Sequence, residues 1–360
     1  MNYLDVLILD DDLGMIDLFE DSVDKWNGEN QENQRHINIV AANSLTEANQ
    51  RRFDAAIVDL RLPDENNEVN SAENGNGFAT SMVNDRGIPV AVVSGHVLEL
   101  SKELQELEHF ETFSKNHGYD PVVEWLSEQW DMMATLRRSR EQIEAASAKV
   151  FAKRLWPQWQ KNPALSGNNP DLQTKIVTRQ FASHISELLG LDTDDNPDWH
   201  PYENYMVPAL TGERAHTGDL FKWGDEVWIV LSPQCDMANA NVPNVLLAKC
   251  KTGDQDWTTH IAILREDSNK PKSKKMIKKF VDQDVPKSKH FLPPLPDEND
   301  PLMVDFSVIQ TKPLEELNAV LDSRLGSVST PFLSNLVQRF GAFISRTGQP
   351  NIDIAHFFEG

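Results

Sequence analysis

The chain has 360 residues and a formal net charge of −22, from 34 Lys plus Arg against 56 Asp plus Glu. That length fits two domains with their own cores. No apolar run is long enough to span a bilayer and the start has no signal-peptide pattern, so the expectation is a protein without a membrane segment. Two cysteines, Cys235 and Cys250, make no disulfide framework and point to a reducing, cytoplasmic compartment. Residues 1–128 hold 8 Lys plus Arg and 26 Asp plus Glu, a net −18. Most of the negative charge therefore lies there and weighs against nucleic-acid binding by that part. The charge of the remainder decides nothing.

In chain order, Val6-Leu7-Ile8-Leu9 is an apolar run ending in Asp10-Asp11-Asp12. Three adjacent carboxylates repel one another unless a cation sits among them, and hard oxygen ligands favour Mg²⁺ or Ca²⁺. Met15, Ile16, Phe19, Val23 and Trp26 recur at helical spacing, Asn27 to Arg35 is polar loop, and Ile37 to Ala42 reads as a strand. Ser44 and Glu47 form a capping-box pattern for a second helix. Ala55-Ala56-Ile57-Val58 is again a short apolar run, which reads as a strand buried on both faces. It carries Asp59 to its C-terminal end, before the turn at Pro63-Asp64. By itself Asp59 fits a helix cap equally well. Glu65 to Gly77 is rich in Asn, Glu and Ser without apolar periodicity, and reads as an expanded loop, either a lid over Asp59 or a tolerated insertion. Gly77 to Asn84 begins a third helix. Ile88 to Val93 is a strand ending in Ser94. Leu98 to Leu107 is a fourth helix. Phe110 to Ser114 is a short strand ending in Lys115, and Tyr119 to Trp130 is a fifth helix.

Chemistry in an open parallel sheet sits beyond the carboxyl ends of its strands. Here four strand ends present an acidic pair, an acid, a hydroxyl and an amine. This ordered set resembles the receiver domain of two-component response regulators over residues 1–128. The resemblance implies a CheY-like doubly wound (βα)5 fold with a five-stranded parallel sheet. It implies Asp59 as phosphoacceptor, Mg²⁺ held by Asp10, Asp11, Asp59 and the backbone carbonyl of Arg61, Ser94 as switch hydroxyl, and Lys115 paired with phosphoryl oxygens. A sensor histidine kinase or phosphotransfer protein would be the partner. The chemistry suits those residue types: a carboxylate nucleophile makes an acyl phosphate, and the cations neutralise oxygen charge. Two positions depart from the family pattern. Asn116 replaces the proline that usually follows the lysine, and Thr112 stands where receivers carry an aromatic switch residue, with Phe110 and Phe113 out of register. Arg61 and His96 stand two residues after Asp59 and Ser94, where the family tunes phosphoryl lifetime.

From Trp130 to Trp159 helical spacing continues through Met133, Leu136, Ile143, Ala146, Val150, Phe151 and Leu155, without a clean heptad. A helical connector over 129–162 is expected, either a homodimer surface or a helix packed on the C-terminal domain. Asn162 to Pro170 is a linker, and 163–360 is read as an α+β domain with a small β-barrel or sheet. In it, Leu172 to Leu191 reads as helix and Asp192 to Asn204 as acidic loop. Thr217 to Ser232 is a hairpin signal around Lys222-Trp223-Gly224-Asp225. Val245 to Lys249, Thr258 to Leu264 and Met303 to Ile309 read as strands. Phe291 to Pro296 reads as extended chain, and Pro331 to Ile344 as a closing helix capped at Ser329 or Thr330.

Cys235, within Ser232-Pro233-Gln234-Cys235-Asp236, is a candidate nucleophile if His216 or His260 serves as base; the other reading is a buried cysteine beside a turn aspartate. Zinc on Cys235, Cys250 and a histidine fits poorly, the spacing not being C-x-x-C. Lys270 to Lys279 contains six lysines, a patch for nucleic acid or an acidic protein surface, the receiver-like part of the same chain being the obvious acidic partner, or else a solvated loop. No helix-turn-helix or winged-helix pattern is present, so DNA binding is not expected, and sequence-specific recognition least of all. The leading functional reading is a cytoplasmic phosphoacceptor acting through a C-terminal protein-interaction or effector domain. The alternatives are a phosphate sink for a sensor kinase, defence-related systems included, and an effector enzyme around Cys235.

Overall fold

The structure is a computed structural model and describes residues 2–63, 70–107, 110–161, 169–190, 198–209, 213–348 and 350–358. The chain divides into two compact units, residues 1–195 and 196–360.

In the first unit, β1 (Asn2–Leu9), α1 (Leu13–Glu29), β2 (Arg35–Ala42), α2 (Leu45–Asn49) and β3 (Ala55–Val58) alternate strand and helix. A small hairpin, β4 (Leu62–Pro63) with β5 (Asn70–Ser71), leads into α3 (Ala72–Asn84). Then come β6 (Val90–Ser94), α4 (Lys102–Gln105), β7 (Phe110–Ser114) and α5 (Asp120–Glu128). The strands form one sheet in the order β2-β1-β3-β6-β7, every neighbour parallel. That is the doubly wound order of CheY and flavodoxin, with its switch point between β1 and β3.

The period of two along the strands explains the two cores. Leu4, Val6 and Ile8 of β1 face one side with Phe19, Val122 and Leu126. Leu7 and Leu9 face the other with Val58, Phe78, Met82 and Leu104. The inner strands β3 and β6 are buried along their whole length, as continuous apolar runs require.

A helical extension follows: α6 (Trp130–Val150), a π-helical turn at Phe151–Leu155, α7 (Trp156–Lys161) and α8 (Pro170–Gly190). The start of α6 belongs to the receiver-like core, since Trp130 and Met133 are buried there and Trp130 stacks on Trp26 with ring centroids 5.5 Å apart. One turn further, the Arg137 guanidinium bridges Asp5 at 2.8 Å and Asp54 at 2.6 Å. Its ring-face contact with Tyr3, at 4.0 Å, fixes the same guanidinium from another side. The helix is thus tied to the sheet at a distance from the carboxyl-end crevice. No residue of α8 is buried, and α8 groups with the first unit.

The second unit contains β8 (Tyr205–Met206), β9 (Asp219–Trp223), β10 (Glu226–Val230), α9 (Gln234–Ala238), β11 (Asn244–Thr252), α10 (Gln255–Glu266) and α11 (Pro271–Val281). It continues with β12 (Lys289–Leu292), β13 (Leu302–Pro313), α12 (Leu314–Asn318), β14 (Arg324–Val328) and α13 (Thr330–Ile344). Its seven strands form one antiparallel sheet in the order β12-β13-β11-β10-β9-β14-β8. Val227 and Ile229 face α13, through Leu333, Leu336 and Phe340. Trp228 and Val230 face the opposite side, where Met237 and Leu317 cover them.

Four local expectations change. Glu65 to Gly77 is not loop throughout: α3 already begins at Ala72, capped by the Ser71 hydroxyl accepting from Glu73 N at 3.0 Å. Its first turns are packed by glycine and asparagine, which apolar periodicity does not register. Residues 64–69 lie outside the described residues, as does most of the 162–170 linker. The fourth helix shortens to a 3-10 turn at Val97–Glu99 and the single turn α4. Thr258 to Leu264 is helical, within α10, because Asp254 caps Asp256 N and Trp257 N and the apolar side of α10 packs on Phe280 and Phe291. The lysine-rich stretch is helix α11 rather than loop.

Candidate functional site

Asp10 directly follows β1, Asp59 follows β3, Ser94 ends β6 and Lys115 follows β7. The fold therefore places all four at the carboxyl end of one sheet, around its switch point. Asp10 and Asp59 are buried, at 2% and 7% exposure, while Asp11 is exposed. Oxygens of Asp10, Asp11 and Asp59 lie within 4.8 Å of one another. The Lys115 ammonium stands 2.8 Å from Oδ2 of Asp10 and 2.8 Å from Oδ2 of Asp59.

The backbone orders the carboxylates. Asp10 Oδ1 accepts from Asp12 N at 3.0 Å, and Asp59 Oδ1 accepts from Leu60 N at 2.7 Å. Asp12, the third acid of the run, is used as the α1 cap, accepting from Gly14 N at 2.9 Å. Burial raises the Asp10 carboxyl above its ordinary value, against the lowering effect of its hydrogen bond with Lys115. Burial by itself lowers the Lys115 ammonium, but hydrogen bonds to Asp10 and Asp59 outweigh it and the net shift is upward. These are opposite faces of one fact: two buried carboxylates share one cation.

A divalent cation fits this donor set. Three carboxylates with oxygens this close supply hard ligands for Mg²⁺, which is held by one or two carboxylates and keeps waters of its own. The residues present for it are Asp10, Asp11 and Asp59, with the main chain of Arg61 two residues beyond Asp59.

Ser94 is buried, and its hydroxyl accepts from His96 N at 3.2 Å. Arg61 and His96, two of the residues singled out in the sequence, meet on Glu99. Arg61 Nε donates to Glu99 Oε2 at 3.0 Å, a second contact joins the Arg61 guanidinium to the other oxygen, and His96 Nδ1 lies 3.8 Å away. The hydrogen bond from Arg61 holds the Glu99 carboxyl below its usual range.

Sequence reasoning missed four contributors. Glu99 has no pattern that marks it. Gly75 packs so tightly that a Cβ there would fall 2.3 Å from the Leu60 carbonyl oxygen. Gly75 N also donates to that oxygen at 3.1 Å, so α3 lies directly on the turn after Asp59. The side chain of Asn76 accepts from Ser101 N at 2.8 Å and donates to Glu99 O at 3.0 Å, joining α3 to the segment after β6. Tyr119 is buried against Phe19, its ring centroid 5.3 Å away. Burial raises its phenol, and the charges of Asp10, Asp59 and Asp12 raise it further. The run Asn74-Gly75-Asn76 inside a predicted loop was the available signal for two of these.

The second unit brings together less of what the sequence singled out. Cys235 is exposed, which overturns its reading as a buried cysteine, and its Sγ lies 3.6 Å from Asp236 Oδ1. His260 Nδ1 is instead 3.0 Å from the Ser273 hydroxyl. Cys250 is buried in β11, and burial pushes its thiol up. A neighbouring carboxylate does not activate a thiol as a positive charge does.

No family model and no curated protein matches the chain. Among solved structures, the receiver domain of a putative LuxO repressor from Vibrio parahaemolyticus is 19% identical, with a TM-score of 0.30, over 39% of this chain and 98% of that one. A CheY-like receiver domain from Methylobacillus flagellatus is 20% identical, with a TM-score of 0.26, over 34% and 97%. NtrX from Brucella abortus is 16% identical, with a TM-score of 0.29, over 39% of this chain; the match spans 29% of NtrX. The fold assignment rests on the strand order itself: the first unit is a CheY-like doubly wound domain with an acidic crevice at its switch point.

Proposed function

We propose that the first unit is a phosphoacceptor receiver and the chain a response regulator of a two-component system. The observation that carries this is the Lys115 ammonium held 2.8 Å from both Asp10 and Asp59, beside the exposed Asp11. Asp59 is the nucleophile. Its carboxylate attacks the phosphorus of a phosphohistidine on a sensor kinase or phosphotransfer protein; the P–N bond breaks, the imidazole leaves, and an acyl phosphate remains. Lys115 follows the transferred oxygens with its ammonium, and the hydroxyl of Ser94 donates to them. Asp10, Asp11 and Asp59, with the Arg61 carbonyl, would hold Mg²⁺, which supplies neutralising charge on the phosphoryl oxygens when bound. The reading includes a cytoplasmic location, since the acidic receiver must meet an intracellular kinase.

A phosphate-sink role is favoured by one observation. Phe113 packs against one core cluster and Phe110 against the other, while Thr112 stands at the relay position. Neither ring stands at the relay position, which favours phosphoryl capture over an aromatic relay to a partner face. In the switch reading, the output is a protein contact made by the C-terminal unit.

The test is intact mass after incubation with Mg²⁺ and acetyl phosphate. One added phosphoryl group in the parent and none in Asp59→Asn is the expected result. No adduct in the parent despite Mg²⁺ binding, and none with a phosphohistidine donor, would remove the proposal. The decay time of the adduct separates sink from switch.

A further inference from the structure

Helix α11 concentrates positive charge in a chain that is otherwise acidic. Lys272, Lys274, Lys275, Lys278 and Lys279 are all exposed on its eleven residues. Lys270 pairs with Asp267 at 3.0 Å and Lys278 approaches Asp282 at 3.9 Å. Among the described residues, no carboxylate comes within ion-pair distance of Lys272, Lys274, Lys275 or Lys279. The arrangement works against the helix. Lys274 and Lys278, and Lys275 and Lys279, are like charges four residues apart, and the first turn holds a lysine and no acid. Lys278 and Lys279 stand in the last turn, where the helix dipole favours cations, but Lys272, Lys274 and Lys275 do not, and an anion brought to the helix would relieve their repulsion.

We propose that α11 is a contact surface for the phosphate backbone of double-stranded nucleic acid, without sequence preference. Three features select that partner among polyanions. The apolar side of α11 is already used: Phe280 lies edge-on to Trp257 at 5.8 Å and tilted on Phe291 at 5.4 Å, so it is not free to enter a membrane. The exposed side has lysine without Arg, Tyr or Trp, whereas protein interfaces anchor on those residues and are depleted in lysine. The helix also lacks Arg, Asn and Gln to read base edges and has no exposed aromatic ring for stacking on single strands. What remains is charge neutralisation of phosphates, the sequence-independent component of binding. The net −22 of the chain opposes the contact. The patch must therefore act locally, over a Debye length of about 10 Å at 0.1 M salt.

The experiment uses the full chain and a fluorescein-labelled 20-base-pair DNA of arbitrary sequence, read by anisotropy from 50 to 200 mM salt. With four lysines engaged, the log–log slope is expected near −3.6, roughly a 150-fold loss of affinity over that range. The triple variant Lys272→Gln, Lys275→Gln, Lys279→Gln should weaken binding at least tenfold at 50 mM salt and flatten the slope by about 2.7. A second triple, Lys→Ala at the same exposed positions, should match it, with unchanged circular dichroism. No binding at 50 mM salt overturns the proposal. So does equal binding by the parent and both triples, or tighter binding to polyglutamate or phosphatidylserine vesicles than to the duplex.

Discussion

The Lys115 ammonium lies 2.8 Å from Oδ2 of Asp59, reaching past β6 from the end of β7. It is the positive charge that lets two buried carboxylates coexist at the switch point. Lys115→Met leaves Asp10 and Asp59 without it, and breaking such a pair costs about 3 kcal/mol. Urea unfolding at pH 7 should show that loss. Added MgCl₂ should recover more stability in the variant than in the parent, since a divalent cation substitutes for the missing charge.

Asp10 makes the opposite prediction. Its carboxyl is raised in the folded state, mainly by burial. A raised folded value means the folded chain binds the proton more tightly than the unfolded chain. The stabilising contribution is then complete below the unfolded value, near 3.8, and is lost as pH rises through the folded value. Asp10→Asn should therefore stabilise the protein at pH 7, with the gain shrinking as pH falls toward 3.8. Urea midpoints measured between pH 4 and 7 check the sign. The same variant should lose Mg²⁺ binding.

Arg137 joins α6 to Asp5 and Asp54, and its hydrogen bonds and their charges outweigh burial to raise the guanidinium. Arg137→Ala strands two carboxylates on the sheet and should cost about 3 kcal/mol in urea unfolding. The double variant Arg137→Ala, Asp54→Asn should recover part of the loss. Additivity of the two single variants would show that the contact is not coupled.

Gly75 allows α3 to lie against the turn after Asp59. A Cβ there would be 2.3 Å from Leu60 O and 2.4 Å from Asp59 O, both backbone atoms that cannot move aside cheaply. Gly75→Ala should cost about 1–3 kcal/mol, the range for overpacking. It should also slow phosphorylation of Asp59 more than Gly77→Ala does, because Gly77 has open space at its Cβ. Melting temperature and adduct formation, compared for the two variants, provide the check.

Thiol titration separates the cysteines. Cys235 is exposed and Cys250 is buried. Ellman's reagent should label one thiol in the native chain and two in 8 M urea. Two fast native thiols would contradict the packing of β11.

The alternation of short apolar runs with amphipathic helices was enough to place β1, β3, β6 and β7 and the four polar residues at their ends. Those signals are local: a strand buried on both faces is apolar throughout, and the residue after it must meet solvent or a ligand. The hairpin of β9 and β10 was legible from its turn for the same reason. The α10 segment was not, because Thr258, Thr259 and Ile261 favour strand intrinsically, while a cap at Asp254 and packing on Phe280 and Phe291 decide for helix. The extent of α3 was hidden because its first turns bury Gly75 and Asn76 rather than apolar side chains.

By itself, then, the sequence determined which polar residues end the buried strands and in what order they follow one another along the chain. Only the tertiary structure decided that Lys115 reaches both Asp10 and Asp59, that Glu99 ties Arg61 to His96 at the rim, and that Arg137 fastens α6 to the sheet. These are contacts between residues 38 to 132 positions apart, apart from the short His96–Glu99 link. No local pattern encodes them, because they depend on which strands become neighbours once the two cores close over the sheet.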